Sequence, residues 1–147
     1  MERYKTPSAV YLMLIKDDNI LLQKGVRMWA SDLYDVSVSG HVEENESMRS
    51  ALCREAKEEI NVEISPEDLE FVCLMHCHYD IVNYYNGYFK CTKWNGTPII
   101  NEPDKCSDLK WVNIDNLPPN IILPDRRLAI ENYKKNIKYS EFGWNND

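Results

Sequence analysis

Apolar and polar positions divide the chain into segments that predict strands separated by turns. Residues 8–16 form a nearly continuous apolar run, which is typical of a strand buried on both faces. The polar sequence Asp17-Asp18-Asn19 and a second apolar run at residues 20–24 predict a β-hairpin. Further strands are predicted at residues 34–39, at 69–79, at 81–93 with a break near Asn86-Gly87, and before Trp111-Val112.

Two segments instead repeat their apolar residues with the period of an α-helix. Met48, Ala51 and Leu52 lie on one stripe when about 100° separates successive residues, and Asn45 is expected to cap this helix. A final helix is predicted over residues 125–138, with Asp125 as its N-cap. The mixture of strands and helices predicts an α/β (α+β) fold, and 147 residues suit a single domain over 1–147.

Short polar segments predict turns and a loosely ordered end. Residues 65–68 predict a turn or a short helical start, and Asn95-Gly96 predicts a tight hairpin. The tail from Glu141 to Asp147 is expected to be loosely ordered because it carries few apolar residues to anchor it.

Composition excludes several classes of protein. The net charge of −7 disfavours binding to a nucleic acid polymer, although Arg126-Arg127 is a local basic pair. Five cysteines without a C-x-x-C pair predict buried free thiols rather than a zinc or thioredoxin-type site. No apolar run is long enough to span a membrane, and residues 1–5 lack the apolar part of a secretion signal, so a cytoplasmic protein is expected.

Three carboxylates continue the apolar stripe of the first predicted helix. Glu55, Glu58 and Glu59 fall where an amphipathic helix would place apolar residues. One interpretation is a solvated acidic face with Arg54 and Lys57 as local partners. The other is a site for a hard divalent cation, because three like charges on a partly buried face need a positive partner.

The spacing around these glutamates resembles the Nudix box, which runs G-x5-E-x7-R-E-U-x-E-E-x-G-U, where U is a bulky apolar residue. The residues that match its fixed positions are Gly40, Glu46, Arg54, Glu55, Glu58 and Glu59. Asn61 stands where the family has glycine, and Asn is the next best residue for the left-handed conformation that ends a helix. We therefore expect Asn61 to close the helix without loss of the site.

The resemblance implies the Nudix fold, a mixed curved sheet between helices, and a set of metal ligands. Mg²⁺, which Mn²⁺ can replace, would be held by Glu55, Glu58, Glu59 and the Gly40 carbonyl. An additional carboxylate is expected from the loop before Trp111, with Glu102 as the first choice and Asp104 as the second. Glu55 or Glu58 would orient or deprotonate water, and Arg54 would fix the carboxylates.

Several other residues are candidates for substrate contacts. Lys24 and Arg27 either meet phosphates or lie on the solvated surface. Asp125 either touches a nucleobase, as the resemblance to triphosphate-cleaving relatives implies, or caps the last helix. His76 and His78 alternate on a predicted strand and either form a two-histidine metal site or, the favoured interpretation, line a cleft or the surface. Tyrosines at 79, 84, 85 and 88 are expected to pack the sheet rather than to stack on bases.

The resemblance implies a Mg²⁺-dependent pyrophosphohydrolase that cleaves a nucleoside triphosphate, with a modified or oxidised deoxynucleotide as one candidate. The products would be a monophosphate and pyrophosphate. Alternative substrates are ADP-ribose, a sugar nucleotide, a dinucleoside polyphosphate and the 5′ end of RNA, and a non-catalytic nucleotide-binding protein is another hypothesis. A small-molecule nucleotide is the expected partner, with no nucleic acid polymer and no membrane, in a monomer or homodimer.

Overall fold

A computed structural model describes residues 1–26 and 32–144. The strands are β1 (Ser8–Lys16), β2 (Asn19–Gly25), β3 (Tyr34–Val36), β4 (Val38–His41), β5 (Glu70–Tyr79), β6 (Val82–Cys91), β7 (Cys106–Asn113) and β8 (Tyr139–Phe142). The helices are α1 (Met48–Ile60) and α2 (Pro124–Lys135), with a short 3-10 helix at Pro66–Asp68. The mixed α+β class predicted from the sequence is therefore confirmed.

Strand β1 is central in a mixed sheet with the order β3-β2-β1-β6-β5-β8. It pairs antiparallel with β2 and parallel with β6, and β5 pairs parallel with β8. Strand β4 also pairs with β1, and β7 pairs with β2. The predicted hairpin between β1 and β2 is present, with Ile15 opposite Ile20.

The apolar run in β1 fills two cores because successive strand residues point to opposite faces of a sheet. Met13 packs in the core that includes Ala129 and Ile130 of α2. Leu12 packs in the core that includes Leu52 of α1. The sheet therefore lies between the two helices, as the Nudix resemblance implied.

Helix α1 begins two residues later than predicted. Ser47, rather than Asn45, is the N-cap, and its hydroxyl accepts a hydrogen bond from the Ser50 backbone at 3.1 Å. Asn45 instead adopts a left-handed conformation with φ of 66° in the preceding turn. The expectation that Asn61 closes the helix is confirmed: its φ of 56° is left-handed, and its N–H donates to the Ala56 carbonyl.

Two turn predictions on the second half of the sheet are wrong. Strand β6 continues through Asn86-Gly87 without a break, with Gly87 opposite Leu74. Glycine is suited there because a Cβ would lie 2.7 Å from Met48 Sδ of α1. Asn95-Gly96 does not form a hairpin, since Asn95 pairs with Glu63 after α1.

The C-terminal region also differs from the prediction. Helix α2 begins at Pro124 after Leu123 as N-cap, so Asp125 is inside the first turn and is not the cap. Proline is suited to that first position because its fixed φ matches the helix and its missing N–H is not needed there. The helix ends at a left-handed Asn136 with φ of 57°, before the predicted residue 138. The tail expected to be loose contributes β8 up to Phe142.

The cysteines agree with the composition-based prediction of free thiols. All five cysteines are free thiols, and Cys53 is the one that is partly exposed, while the others are buried. Within residues 1–26 and 32–144, neither helix has the length and apolar character that a bilayer crossing requires.

Candidate active site

An acidic cleft of about 620 Å³ lies where β4, α1 and the loop before β7 meet. Its acidic wall residues are Asp35, Glu43, Glu55, Glu59, Glu102 and Asp104. Gly40 and Glu55 are thereby brought beside Glu102, although the loop of Glu102 is more than 40 residues away in sequence. The Asn101 N–H donates to the Glu59 carbonyl at 3.1 Å, which holds this loop against α1.

Glu55 and Glu59 form a close carboxyl pair at the base of the cleft. Burial, followed by a hydrogen bond and repulsion from Glu55, raises the pKa of Glu59 to about 10, although the Ser39 backbone favours its charged form. Without a cation, this pair therefore retains a proton near neutral pH.

Arg54 forms ion pairs with Glu55 and with two neighbouring glutamates. Its guanidinium lies 2.7 Å from Glu46 Oε1, 2.7 Å from Glu55 Oε1 and 3.5 Å from Glu58 Oε2. It also donates to the His41 carbonyl at 3.3 Å, which ties α1 to the end of β4. The hydrogen bond from Arg54 is the largest of the effects that lower the pKa of Glu46. Arg54 thus fixes Glu55 in the orientation that faces the cleft.

Glu58 is held less firmly than Glu55. Its side chain is 51% exposed, and it is not part of the cleft wall in the described region. No trio of acidic, histidine or cysteine side chains in residues 1–26 and 32–144 is arranged as a ready-made metal site. Glu58 would have to rotate away from Arg54 to join Glu55 and Glu59 around one ion.

The carboxyl pair nevertheless fits a divalent cation. The carboxylates of Glu55, Glu59 and Glu102 all line the cleft, and Mg²⁺ and Mn²⁺ prefer such oxygen ligands. A cation would replace the proton that the Glu55–Glu59 pair otherwise retains, and would remove their mutual repulsion. Gly40 lets Glu55 approach the backbone, because a Cβ on Gly40 would lie 2.5 Å from Glu55 Cδ.

The candidate phosphate contacts are placed differently from the sequence hypothesis. Lys24 is not among the described residues that line the cleft; its carbonyl accepts a hydrogen bond from Ser107 at 3.2 Å. Arg27 lies outside the described residues. Lys105 does line the cleft, with its ammonium 3.5 Å from Glu102. Sequence reasoning missed Lys105 because it is one polar residue in a polar loop.

A second cavity of about 490 Å³ adjoins the cleft and shares Ser39, Gly40 and His41 with it. Its walls are largely apolar and aromatic: Ala9, Tyr11, Tyr79, Tyr84, Leu123, Pro124 and Phe142. His41 Nε2 is 2.9 Å from the Tyr84 hydroxyl where the two cavities meet. The aromatic cavity and the acidic cleft are therefore parts of one continuous surface.

Asp125 lines the aromatic cavity but is already engaged by protein donors. The Tyr79 hydroxyl donates a hydrogen bond to Asp125 Oδ2, and Arg126 Nη1 lies 2.5 Å from the same oxygen. The Arg126 backbone N–H donates to Asp125 Oδ1 at 3.1 Å. A carboxylate oxygen can accept two hydrogen bonds, so Oδ1 retains capacity for one more donor.

Arg126 forms ion pairs with one carboxylate of the cleft and one of the aromatic cavity. Its Nε donates to Asp35 Oδ1 at 2.8 Å, and Asp35 lines the acidic cleft whereas Asp125 lines the aromatic cavity. The guanidinium also covers the Tyr11 ring at 4.3 Å from its centroid. Arg126 is buried, and Arg127 donates to the Pro118 carbonyl, so the proposed basic pair at 126–127 does not form a surface patch.

The two histidines of β5 contact aromatic rings rather than a metal cluster. His76 stacks on Tyr85 with ring centroids 4.4 Å apart, and His78 Nδ1 is 2.6 Å from Asn83 Oδ1. No metal-binding trio involves them in the described parts of the chain. These contacts agree with the favoured interpretation that the two histidines line a cleft or the surface, and both side chains are partly exposed.

The sequence alone missed the aromatic wall that faces the base of α2. Tyr79, Tyr84 and Phe142 come from three strands, and a loose tail was expected where Phe142 lies. Alternation along β6 offered one signal, since Tyr84 shares a face with the buried Asn86 and Tyr88. No comparable signal identified Asp35 or His41 as cavity residues.

Comparison with known proteins agrees with this geometry. The NUDIX domain family model matches residues 5–133. A NAD-capped RNA hydrolase NudC from Pseudomonas putida is 29% identical over 117 residues, which are 78% of this chain. The chain spans only 38% of the length of that relative.

Two solved structures have the same fold. A MutT NUDIX hydrolase from Burkholderia pseudomallei gives a TM-score of 0.78 at 23% identity, covering 88% of this chain and 98% of that chain. A bifunctional NMN adenylyltransferase/ADP ribose pyrophosphatase from Francisella tularensis, complexed with AMP and a Mn ion, gives a TM-score of 0.65 at 25% identity. That match covers 90% of this chain and 42% of the Francisella chain. Since the family model matches most of its length, the chain belongs to the Nudix family of hydrolases.

Proposed function

We propose that the protein is a Mg²⁺-dependent pyrophosphohydrolase that converts a nucleoside triphosphate to a monophosphate and pyrophosphate. The observation that carries this proposal is the junction of the aromatic cavity and the acidic cleft at Ser39, Gly40 and His41. A nucleotide has the same two parts, a planar base and a charged phosphate chain. The base would occupy the aromatic cavity, and the phosphates would extend into the cleft.

Asp125 would determine which nucleobases the aromatic cavity prefers. The free hydrogen-bonding capacity of its Oδ1 favours a base with an N–H or amino donor at that edge. A base with such a donor would gain a hydrogen bond to a buried carboxylate, and hydrogen bonds to charged groups are stronger than neutral ones. An amino-bearing base, including a modified or oxidised one, is therefore the preferred substrate.

The metal would be held by Glu55, Glu59, Glu58 and the Gly40 carbonyl, with Glu102 of the loop before β7 as an additional ligand. When bound, the cation supplies charge neutralisation of the phosphates and lowers the pKa of water. Mn²⁺ is the expected substitute for Mg²⁺, because it takes the same oxygen ligands.

Protein groups around the cleft would accept the proton, hold the carboxylates and contact the phosphates. A water oxygen forms a new bond to phosphorus, the bond from that phosphorus to the bridging oxygen of the phosphoanhydride breaks, and pyrophosphate leaves. Glu55 or Glu58 accepts the proton of the attacking water. Arg54 keeps Glu55 in position through the 2.7 Å ion pair. Lys105, which lines the cleft, would contact a phosphate oxygen.

Product analysis with a nucleotide panel tests this proposal. The panel contains ordinary and oxidised triphosphates, ADP-ribose, sugar nucleotides and dinucleoside polyphosphates, each with Mg²⁺, with Mn²⁺ and with chelator. A monophosphate and pyrophosphate from a triphosphate are the expected products. Glu58→Gln should abolish turnover while the thermal unfolding curve stays close to that of the wild type. Full activity of that variant would overturn the metal assignment.

A nucleoside diphosphate linked to a second group is the other candidate substrate. The Pseudomonas putida relative is named for NAD-capped RNA, and the Francisella tularensis structure for ADP ribose pyrophosphatase activity. The cleft extends past the glutamates to Val26, Lys105 and Cys106, which leaves room for such a group. Cleavage of the linked diphosphates alone would favour this candidate. Binding without any product, in folded and metal-loaded protein, would favour a non-catalytic nucleotide-binding role.

A further inference from the structure

One wall of the aromatic cavity comes from outside the segment that matches the family. The match ends at residue 133, whereas β8 begins at Tyr139. Phe142 of β8 lines the cavity, and its ring centroid is 6.3 Å from that of Tyr79. Phe142 belongs to residues 138–144, here called the C-terminal clamp, so this segment adds one aromatic side chain to the cavity wall.

The clamp is attached to β5 and α2 by several hydrogen bonds. The Leu74 N–H donates to the Lys138 carbonyl at 2.9 Å, and β8 then pairs parallel with β5. Asn132 of α2 donates to the Ser140 hydroxyl at 2.9 Å. Ser140 and Phe142 face inward, and Tyr139 is 51% exposed on the other face. The alternation of β8 thus aims Phe142 into the cavity.

A turn at Gly143 then carries the chain to the opposite face of the sheet. Gly143 has a φ of +81°, and a Cβ at this position would collide with the His78 carbonyl oxygen. Trp144 packs on His76 with ring centroids 4.6 Å apart, and its indole N–H donates to the His76 carbonyl at 2.7 Å. The histidines of β5 point away from the core face that Phe142 contacts, because side chains alternate along a strand. The C-terminal clamp therefore contacts both faces of the sheet at β5.

We propose that Phe142 is a specificity-determining residue that forms the base-contacting wall of the nucleotide site, and that Gly143 and Trp144 hold it there. This inference rests on the proposed function, since it assigns the aromatic cavity to the base. The ligand class is a planar heteroaromatic base. The phosphates and the metal lie in the adjoining cleft, so the clamp affects how tightly and how selectively the base is held rather than the chemical step.

The test compares purine and pyrimidine triphosphates as substrates of four variants. Phe142→Ala removes the wall, Phe142→Tyr keeps a ring, and Gly143→Ala disrupts the turn. Tyr139→Ala is the matched control, because it removes a ring of the same strand that faces solvent. Phe142→Ala and Gly143→Ala should raise KM about tenfold for the preferred base and leave kcat within about twofold. They should also reduce the preference between the two base classes, whereas Phe142→Tyr and Tyr139→Ala should behave as the wild type.

Two further measurements keep this inference separate from the proposed function. Thermal unfolding of each variant shows that it is folded, and calorimetric binding of a nucleoside monophosphate in chelator reports on the base site without turnover. Wild-type protein that cleaves no nucleotide would refute the proposed function. An active wild type whose KM, base preference and monophosphate affinity are unchanged in Phe142→Ala would refute the role of Phe142. A changed Phe142→Ala beside an unchanged Gly143→Ala would refute the holding role of the turn.

Discussion

Gly40 lies directly against the side chain of Glu55: a Cβ built on Gly40 would lie 2.5 Å from Glu55 Cδ and 2.7 Å from its Oε1. A bare backbone at this position lets the carboxylate pack beside β4 and face the cleft. A methyl group would push Glu55 away from Glu59 or away from Arg54. Gly40→Ala should therefore reduce kcat about a hundredfold, because small displacements of reacting groups have effects of that size.

A steady-state assay of Gly40→Ala beside Gly25→Ala measures this effect. Gly25 is the matched control, since the nearest atom to a Cβ there is the Lys105 carbonyl oxygen at 3.9 Å. Both proteins should have similar thermal unfolding. Equal losses of activity in the two variants would show that the contact with Glu55 is not the reason for glycine at position 40.

The second prediction concerns the pH dependence of stability without metal. The pKa of Glu59 is raised from 4.5 in the unfolded chain to about 10 in the folded protein, chiefly by burial and then by Glu55. Between these values the folded state binds more protons than the unfolded state, so its free energy of unfolding falls as pH rises. The contribution of Glu59 is at most about 1.4 kcal/mol per pH unit.

Chemical denaturation in chelator from pH 6 to 9 checks this sign. Glu59→Gln should remove much of the pH dependence and should be more stable than the wild type at pH 9. Added Mg²⁺ should stabilise the wild type more strongly as pH rises, because the cation competes with the proton. Parallel curves for the two metal-free proteins would contradict the buried, protonated state of the pair.

The third prediction concerns Arg54, whose guanidinium bonds Glu46, Glu55 and the His41 carbonyl at once. A lysine keeps the positive charge but cannot reproduce this forked geometry. Arg54→Lys should lower kcat about 10- to 100-fold, as for other residues that orient metal ligands. It should also weaken the apparent affinity for Mg²⁺. Lys57→Arg, on the exposed side of the same helix, should leave both quantities unchanged.

A metal titration of activity distinguishes positioning from general damage to the fold. If Arg54 orients Glu55, higher Mg²⁺ concentrations should recover part of the lost rate. A variant with normal Mg²⁺ dependence and a lower melting temperature alone would assign Arg54 a purely structural role.

The sequence predicted the residues of the acidic cleft better than those of the aromatic cavity. The box that spans Gly40 to Val62 is one turn, one helix and one cap, so local spacing determines its geometry. Asn61 illustrates this, because a single residue in the left-handed conformation ends α1 where the pattern predicted. The error at Asn45 was also local, since Ser47 offered a competing cap two residues later.

The aromatic cavity could not be predicted because segments that are distant in sequence form its walls. Phe142 reaches the cavity only through the parallel pairing of β8 with β5, which places Phe142 opposite Cys77. Parallel pairing leaves no local turn signal, and four residues of mixed polarity do not identify a strand. Asp125 was assigned to capping because its sequence context fits a cap, but Pro124 occupies the first position of the helix instead.

The last prediction concerns the buried ion group beneath both cavities. Arg126 is 7% exposed and lies 2.8 Å from Asp35 and 2.5 Å from Asp125, so one cation balances two buried carboxylates. Arg126→Met would leave both carboxylates buried without a charged partner. The free energy of unfolding should fall by about 3–5 kcal/mol, because removing one partner of a buried ion pair leaves the other charge buried without compensation.

Urea denaturation of three variants measures this difference. Arg127→Met is the neighbouring control: it removes a hydrogen bond to the Pro118 carbonyl, which should cost about 1 kcal/mol. A triple variant, Arg126→Met with Asp35→Asn and Asp125→Asn, should recover a large part of the stability lost in Arg126→Met, since no charge remains buried. If Arg126→Met costs no more than Arg127→Met, Arg126 does not balance the two carboxylates. Under the proposed assignment of the base to the aromatic cavity, the triple variant should still bind nucleotides poorly, because position 125 would carry an amide in place of the carboxylate.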